Sequence, residues 1–221
     1  MILILDMDDT LYVEENYVKS GFMAVAIFGE QHFQLDTKES YLYFCDRLAS
    51  DGRGKIFDSW LRKHHLFSKR ILAKVVQVYR HHKPNIELTP EALSLLNFYQ
   101  ARIPLYLVTD GHKIAQRNKI KALQIEPYFR GIFLTHQYGI VYEKPSLYCF
   151  ELIKRKERAD WRDIIYVADN PKKDFVNLNK MGARTIQLIT SPYYDESIPF
   201  DYQAEFKISS LSLIPNTINN L

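Results

Sequence analysis

The sequence predicts an α/β protein, a doubly wound parallel sheet with an α-helical domain inserted after its first strand. Three observations predict it. Short apolar runs at 2–5, 103–109, 131–135, 163–169 and 184–189 alternate with helical stretches, the pattern of strands covered on both faces. Residues 14–82 hold no convincing strand and repeat their apolar residues at helical spacing. The first apolar run, ILIL, passes straight into Asp6, Asp8 and Asp9, so the leading strand carries acids to the end where open parallel sheets bind ligands.

The elements follow in order. After the first strand, Tyr17, Gly21, Ala24 and Phe28 mark one helix face, and Tyr41, Phe44, Cys45 and Leu48 a second. Ile71, Leu72, Val75, Val78 and Tyr79 mark a third, with a loop at 50–54 (SDGRG) between them. PNIELTP, 84–90, reads as a linker whose Thr89-Pro90 is an N-cap followed by proline in the first helical turn. Helices near 90–101, 112–123, 146–157 and 172–181 then separate the strands, the last closed by Gly182. In the tail, AEFKI reads as a late strand and 209–213 as a short helix. The sheet domain is therefore split, 1–13 plus 87–221, around a helical domain at 14–86.

Bulk composition narrows the class. A chain of 221 residues forms one or two domains with a substantial core. Hydrophobic residues at 47% and charged ones at 25% are ordinary for a globular protein. No apolar run approaches the roughly 18–20 residues of a membrane helix. ILIL is too short for a signal-peptide core and lacks a basic lead, so a cytoplasmic protein without membrane partners is expected. Cys45 and Cys149 lack metal spacing and read as reduced core residues. A net charge of +3 is too small to argue for nucleic acid and suits an anionic small substrate equally well.

The strand ends carry the chemistry. The first delivers Asp6, Asp8, Asp9 and Thr10, and the second Thr109, Asp110 and Gly111. The loop after GIFLT brings Lys144, and the strand at 163–169 ends in Asp169, with Asp174 five positions on. Any one strand-end Asp reads as a cap or turn residue. Together, uncompensated carboxylates on one rim would repel and raise each other's pKa. A divalent cation resolves the conflict, and hard oxygen ligands without His or Cys favour Mg²⁺ shared with a phosphate.

DMDDTLY (6–12), LVTDG (107–111), EKP (143–145) and VADNPKKD (167–174) resemble, in order and in strand-end placement, the four motifs of the haloacid dehalogenase superfamily. The helical insert is similar to the small cap of its subfamily I, which closes over the active site. The resemblance implies that Asp6 is a nucleophile forming an aspartyl-phosphate and Asp8 a general acid and then base. It implies that Thr109 and the amides of Asp110 and Gly111 hold phosphate, and that Lys144 pairs with Asp6 and the phosphate. It implies Mg²⁺ ligation by Asp6, the Asp8 carbonyl and Asp169, with Asp174 in or near the first shell. Thr10 orders the loop around Asp8, and Asp9 reads as a turn residue. Family members often have glycine where this chain has Ala168, a small change expected to be tolerated.

These expectations converge on a Mg²⁺-dependent phosphatase of a small phosphorylated metabolite such as a sugar phosphate, as monomer or homodimer. DMDDTLY is also similar to the first motif of pyrimidine nucleotidases, so a nucleoside 5′-monophosphatase is the alternative. A receiver-like phospho-acceptor is the non-enzyme alternative, opposed by Lys144 preceding Asp169 and by the insert. A mutase or a phosphonate hydrolase on the same fold, the latter with Lys19 as Schiff base, is a further reading. His64-His65 and His81-His82 are poor chelates, because adjacent helical residues do not face each other, and read as solvated or groove-facing. GRGK (52–55) lacks Walker spacing and reads as a basic turn. HKIAQRNKIK (112–121) reads as a solvated face, with His112 alone placed to line the site. The aromatics of the insert read mostly as its core.

Overall fold

A computed structural model of the chain describes residues 1–189 and 197–219. They divide into two compact units. One comprises Glu14–Ile86 and Arg117–Ala122; the other comprises Met1–Val13, Glu87–Gln116 and the described residues from Leu123 onward.

The first unit is helical. Its helices are α1 (Glu14–Phe33), α2 (Thr37–Asp51), α3 (Ile56–Lys63) and α4 (Lys69–His81). Side-chain caps fix two of the starts: Asp36 accepts from the Glu39 amide at 2.7 Å, and Ser68 accepts from the Ile71 amide at 3.1 Å. Phe22, Phe44 and Trp60 are buried; Phe22 meets Phe44, Phe57 and Tyr79, and Phe44 meets Phe57 and Trp60, all edge-on or tilted. Gly29 lies so close to Trp60 that a Cβ there would stand 2.8 Å from the ring. Cys45 is only half-buried, because it lies beside rather than on the face of α2 that buries Phe44. His82 is also not solvated. It is buried, its Nδ1 lies 2.6 Å from the Tyr79 carbonyl, and its ring leans on Tyr17. Lys119 is buried too, paired with Glu14 at 3.5 Å and seated over the Tyr17 ring. The stretch 112–121 is thus not a uniformly solvated face, although Lys113, Arg117 and Lys121 are exposed.

The second unit is built on six parallel strands: β1 (Ile2–Leu5), β2 (Leu105–Thr109), β3 (Gly131–Leu134), β4 (Ile164–Ala168), β5 (Arg184–Leu188) and β6 (Phe206–Ile208). Their order is β3-β2-β1-β4-β5-β6. The central strands β1, β2 and β4 are buried at every position, and apart from Tyr106, Thr109 and Tyr166 they are aliphatic on both faces. Ile4 stands beside Tyr106 on one side and Tyr166 on the other. From β1 the chain first builds outward through β2 and β3, then crosses back to build β4 to β6. The strand order thus reverses between β1 and β4, and sheets of this kind bind ligands outside the carboxyl ends of the strands at such a reversal. The Asp6 amide donates to the Val167 carbonyl at 2.9 Å, carrying the β1–β4 pairing one residue into the acidic turn.

Helices α5 (Pro90–Tyr99), α6 (Lys113–Leu123), α7 (Tyr148–Glu157), α8 (Val176–Met181) and α9 (Ile214–Asn219) complete the chain. Thr89 caps α5 by accepting from the Ala92 amide at 3.1 Å. One helix is shorter than the periodicity predicts. Instead of starting at 172, α8 starts at Val176, because Asp174 accepts from the Asn170 amide at 3.0 Å and closes residues 170–174 into a turn. The predicted helix at 209–213 is a 3-10 turn, Leu211–Leu213, that runs into α9. Among the described residues no helix is long and apolar enough to cross a membrane.

Candidate active site

Asp6 leaves the end of β1 almost fully buried. Lys144 reaches it from the loop between β3 and α7. The Lys144 Nζ lies 2.9 Å from Asp6 Oδ1, 2.8 Å from Asp174 Oδ1 and 2.9 Å from the Tyr166 hydroxyl. An ammonium has three N–H donors, and here each finds an acceptor. The Tyr166 hydroxyl in turn donates to Asp174 Oδ1 at 3.1 Å. Burial works against the charge on Lys144, but Asp174 and Asp6 outweigh it and raise its pKa well above the ordinary lysine value.

The carboxylates are less well compensated. Asp6, Asp169 and Asp174 present oxygens within 4.8 Å of one another. Asp169 follows β4 directly, behind the fully buried Ala168. Burial, then the charges of Asp6, Asp174 and Asp9, push its pKa up to about 8. Burial likewise lifts Asp6 to about 6, with Asp174 and Asp8 adding to the rise and Lys144 and Lys173 opposing it. The three clustered acids share one fully buried ammonium, and for want of positive charge Asp6 and Asp169 hold protons more tightly than ordinary carboxyls do. A hard cation meets the same need, and an all-oxygen donor set with no His or Cys suits one.

The second strand end supplies a polar hub. Thr109 closes β2 and is buried. The Asp110 carboxylate does not face outward. Its Oδ1 accepts from the Thr135 hydroxyl at 2.8 Å and the Lys144 amide at 3.2 Å, and its Oδ2 pairs with Lys173 at 3.2 Å. Burial opposes its charge, yet Lys144 and Lys173 hold its pKa below the usual carboxylate value. Gly111 has φ +124°, a left-handed value that glycine adopts freely. It leads through half-buried His112 into α6. Asp8 turns its carboxylate to other partners: Oδ1 accepts from the Tyr12 hydroxyl at 2.5 Å and Oδ2 from Gln116 Nε2 at 2.9 Å. Thr10 is buried in the same turn, and Asp9 sits there at φ 51°.

The structure therefore gathers Asp6, Asp169, Asp174 and Lys144 into one cluster, and links Asp8, Thr109 and Asp110 through Gln116. Tyr12, Gln116, Thr135, Tyr166 and Lys173 also belong to this network, although the sequence assigned none of them a role. Tyr166 left one signal, an aromatic with a polar tip inside the aliphatic run IIYVA. Lys173 adjoins Asp174 in the last motif, and Gln116 lay within a stretch whose charge suggests solvent. Lys19, on α1 of the helical unit, pairs with Glu15 at 2.7 Å. That hydrogen bond raises its pKa, the opposite of what a Schiff-base lysine needs.

Comparisons with known proteins agree with this architecture. Over its full length the chain resembles the HAD-hydrolase YfnB of Bacillus subtilis, solved bound to magnesium, with TM-score 0.70 at 17% identity, covering 99% of this chain and 98% of that one. It also resembles 2-haloacid dehalogenase of Pseudomonas syringae, TM-score 0.67 at 18% identity, covering 100% and 99%. Among curated proteins it is similar to the glyceraldehyde 3-phosphate phosphatase of Methanocaldococcus jannaschii, 24% identical over 99% of this chain and 97% of the relative. The protein of the same name from Methanopyrus kandleri is 23% identical over 87% and 85%. Residues 3–188 match the haloacid dehalogenase-like hydrolases. With that match spanning both the split sheet and its helical insert, the chain belongs to the haloacid dehalogenase-like hydrolase family.

Proposed function

We propose that the protein is a magnesium-dependent phosphatase of a small phosphorylated metabolite, working through an aspartyl-phosphate on Asp6. The observation that carries this reading is the buried Asp6–Lys144 contact of 2.9 Å inside a cluster of three carboxylates. A carboxylate held that way is an oriented nucleophile, and the cluster has charge to spare for a cation. The two curated relatives named as glyceraldehyde 3-phosphate phosphatases nominate a triose phosphate as the first substrate to try.

In the first step an Asp6 oxygen attacks phosphorus as the ester P–O bond breaks, and the Asp8 proton goes to the departing alcohol oxygen. In the second, Asp8 takes a proton from water, the water oxygen bonds to phosphorus, and the P–O bond to Asp6 breaks. Phosphate leaves, the Asp6 carboxylate is restored and Asp8 is protonated again. Thr109 and the amides of Asp110 and Gly111 hold the phosphate oxygens beside the start of α6, and Lys144 offsets their charge. Asp6, Asp169 and the Asp8 carbonyl would hold the magnesium ion. Asp174, whose oxygens already serve Lys144, Tyr166 and the Asn170 amide, would complete the shell directly or through water. Bound there, the ion neutralises charge on the transferring phosphoryl group.

The test is a phosphate-release screen with and without Mg²⁺ over triose and sugar phosphates and nucleoside 5′-monophosphates, with Asp6→Asn as the blank. Release above the blank that requires Mg²⁺ is expected for at least one ester. No ester above the blank, or release indifferent to Mg²⁺, overturns the reading.

The same cluster predicts a pH dependence of stability. Between its ordinary value of 3.8 and about 8, folded Asp169 holds a proton that the unfolded chain has lost. The native state binds more protons across this window, so the contribution of Asp169 to stability falls as pH rises, by up to about 1.4 kcal/mol per unit. Thermal melts in EDTA should show the wild type losing ground to Asp169→Asn from pH 4 to 8. Added Mg²⁺ should recover that loss in the wild type. A constant wild-type-minus-variant difference over that range would contradict the cluster's electrostatics.

A further inference from the structure

Gln116, in the first turn of α6, is almost fully buried, with 1% exposure. A glutamine so deep must satisfy its amide internally. Its Nε2 lies 2.9 Å from Asp8 Oδ2, 2.7 Å from Thr109 Oγ1 and 2.7 Å from the Asp110 carbonyl oxygen. A carboxylate and a carbonyl only accept, so the amide nitrogen, not its oxygen, must face them. The two hydrogens of one NH₂ group thus divide among three acceptors that come from the turn after β1 and the end of β2. Gly111 walls the same amide: a Cβ there would stand 3.3 Å from Gln116 Cδ. The other Asp8 oxygen is held by the Tyr12 hydroxyl at 2.5 Å.

We infer that Gln116 is a positioning residue that sets the Asp8 carboxyl relative to the phosphate-holding strand end, and so aims the proton that Asp8 gives to the leaving oxygen. The inference rests on the phosphatase reading above. Thr109 is on the phosphate side of that geometry and Asp8 on the leaving-group side, and Gln116 Nε2 is hydrogen-bonded to both. Phosphate still has Lys144 and the strand-end amides when Gln116 is lost, whereas the Asp8 carboxyl loses a donor at its Oδ2. Loss of the amide therefore falls more on proton delivery than on phosphate binding.

The consequence is selective for the leaving group. An alkyl ester departs as an alcohol only if its oxygen is protonated while the Asp6–phosphorus bond forms and the ester bond breaks. A nitrophenyl ester departs as a stable phenolate and has little need of that proton. The experiment measures kcat/KM, which reports the phosphorylation step, for 4-nitrophenyl phosphate and for the best alkyl phosphate of the screen. Gln116→Met keeps the side chain's length and its packing on Gly111. It should lower kcat/KM for the alkyl ester about tenfold or more beyond its effect on the aryl ester. Asp8→Asn should show the same preference more strongly, and Gln116→Met placed in that background should add little to the alkyl loss. If Gln116→Met does not fold, Gln116→Leu, which also lacks a donor and adds no charge beside Asp8, gives the same ratio. Equal losses on both esters, or losses that multiply fully with Asp8→Asn, overturn the inference while leaving the phosphatase reading intact. A wild type that hydrolyses neither ester removes both.

Discussion

Asp6→Asn is expected to lower phosphate release by roughly 10⁴-fold or more, the scale seen when a covalent nucleophile is removed. The amide keeps the shape of the side chain and can still accept from Lys144, so orientation survives and nucleophilicity does not. The fold should not suffer. Asp6 is buried and its proton affinity is raised, so its charge is held at a cost that the amide does not incur. Without divalent cations, the melting temperature of the variant at pH 8 should be at least that of the wild type, a common relation between activity and stability at charged sites. Acid quenching during turnover should trap phosphate on the wild-type chain and none on the variant. An Asp6→Asn protein within tenfold of wild-type activity, or one that still carries the acid-stable label, would sink the nucleophile assignment.

Lys144→Met should damage both activity and the fold. The ammonium is 1% exposed and serves Asp6, Asp174 and Tyr166 together. Its removal leaves two buried carboxylates facing each other with no cation between them. Breaking one side of a buried pair typically costs about 3–5 kcal/mol, which for a chain of this size lowers the melting temperature by about 10 °C. The loss has a sign in pH. Asp6 already titrates near 6 in the wild type, and removing Lys144 takes away the largest influence opposing that rise. Below pH 6 the acids can accept protons and relieve the repulsion, so the deficit should be smaller at pH 5.5 than at pH 8. Urea melts at both values, with the wild type alongside, measure it. A variant as stable as wild type at pH 8 would show that the cluster does not depend on this ammonium, and Mg²⁺-dependent activity surviving in it would remove Lys144 from the mechanism.

The alternation of aliphatic runs with helical stretches was enough to read the sheet, because a strand buried on both faces is apolar along most of its length, as β1, β2 and β4 are apart from Thr109 and the hydroxyl tips of Tyr106 and Tyr166. The helical insert was readable for the converse reason, since its apolar residues recur at a period that only a helix brings to one face. Start signals worked where a side chain caps locally, as Thr89 does for α5. They failed at 172–175, where Asp174 spends its carboxylate on the Asn170 amide and on Lys144. A local rule could not foresee that competition from a residue 30 positions away.

The readings of His82 and Lys119 failed similarly. His82 and Lys119 sit in polar or charged stretches, yet both are buried against Tyr17. A charge can be buried once an aromatic face and a carboxylate such as Glu14 receive it, and neither partner is adjacent in sequence.

By itself, then, the sequence determined the fold class, the helical insert and the acids, threonine and lysine carried at the strand ends, because these follow from periodicity and from residues a few positions apart. Only the tertiary structure decided which other side chains join them. Gln116 meets Asp8 across 108 positions and Tyr166 meets Lys144 across 22. Those meetings depend on strand order, on the reversal between β1 and β4, and on which way each buried side chain turns, and none of these leaves a mark in the residues nearby.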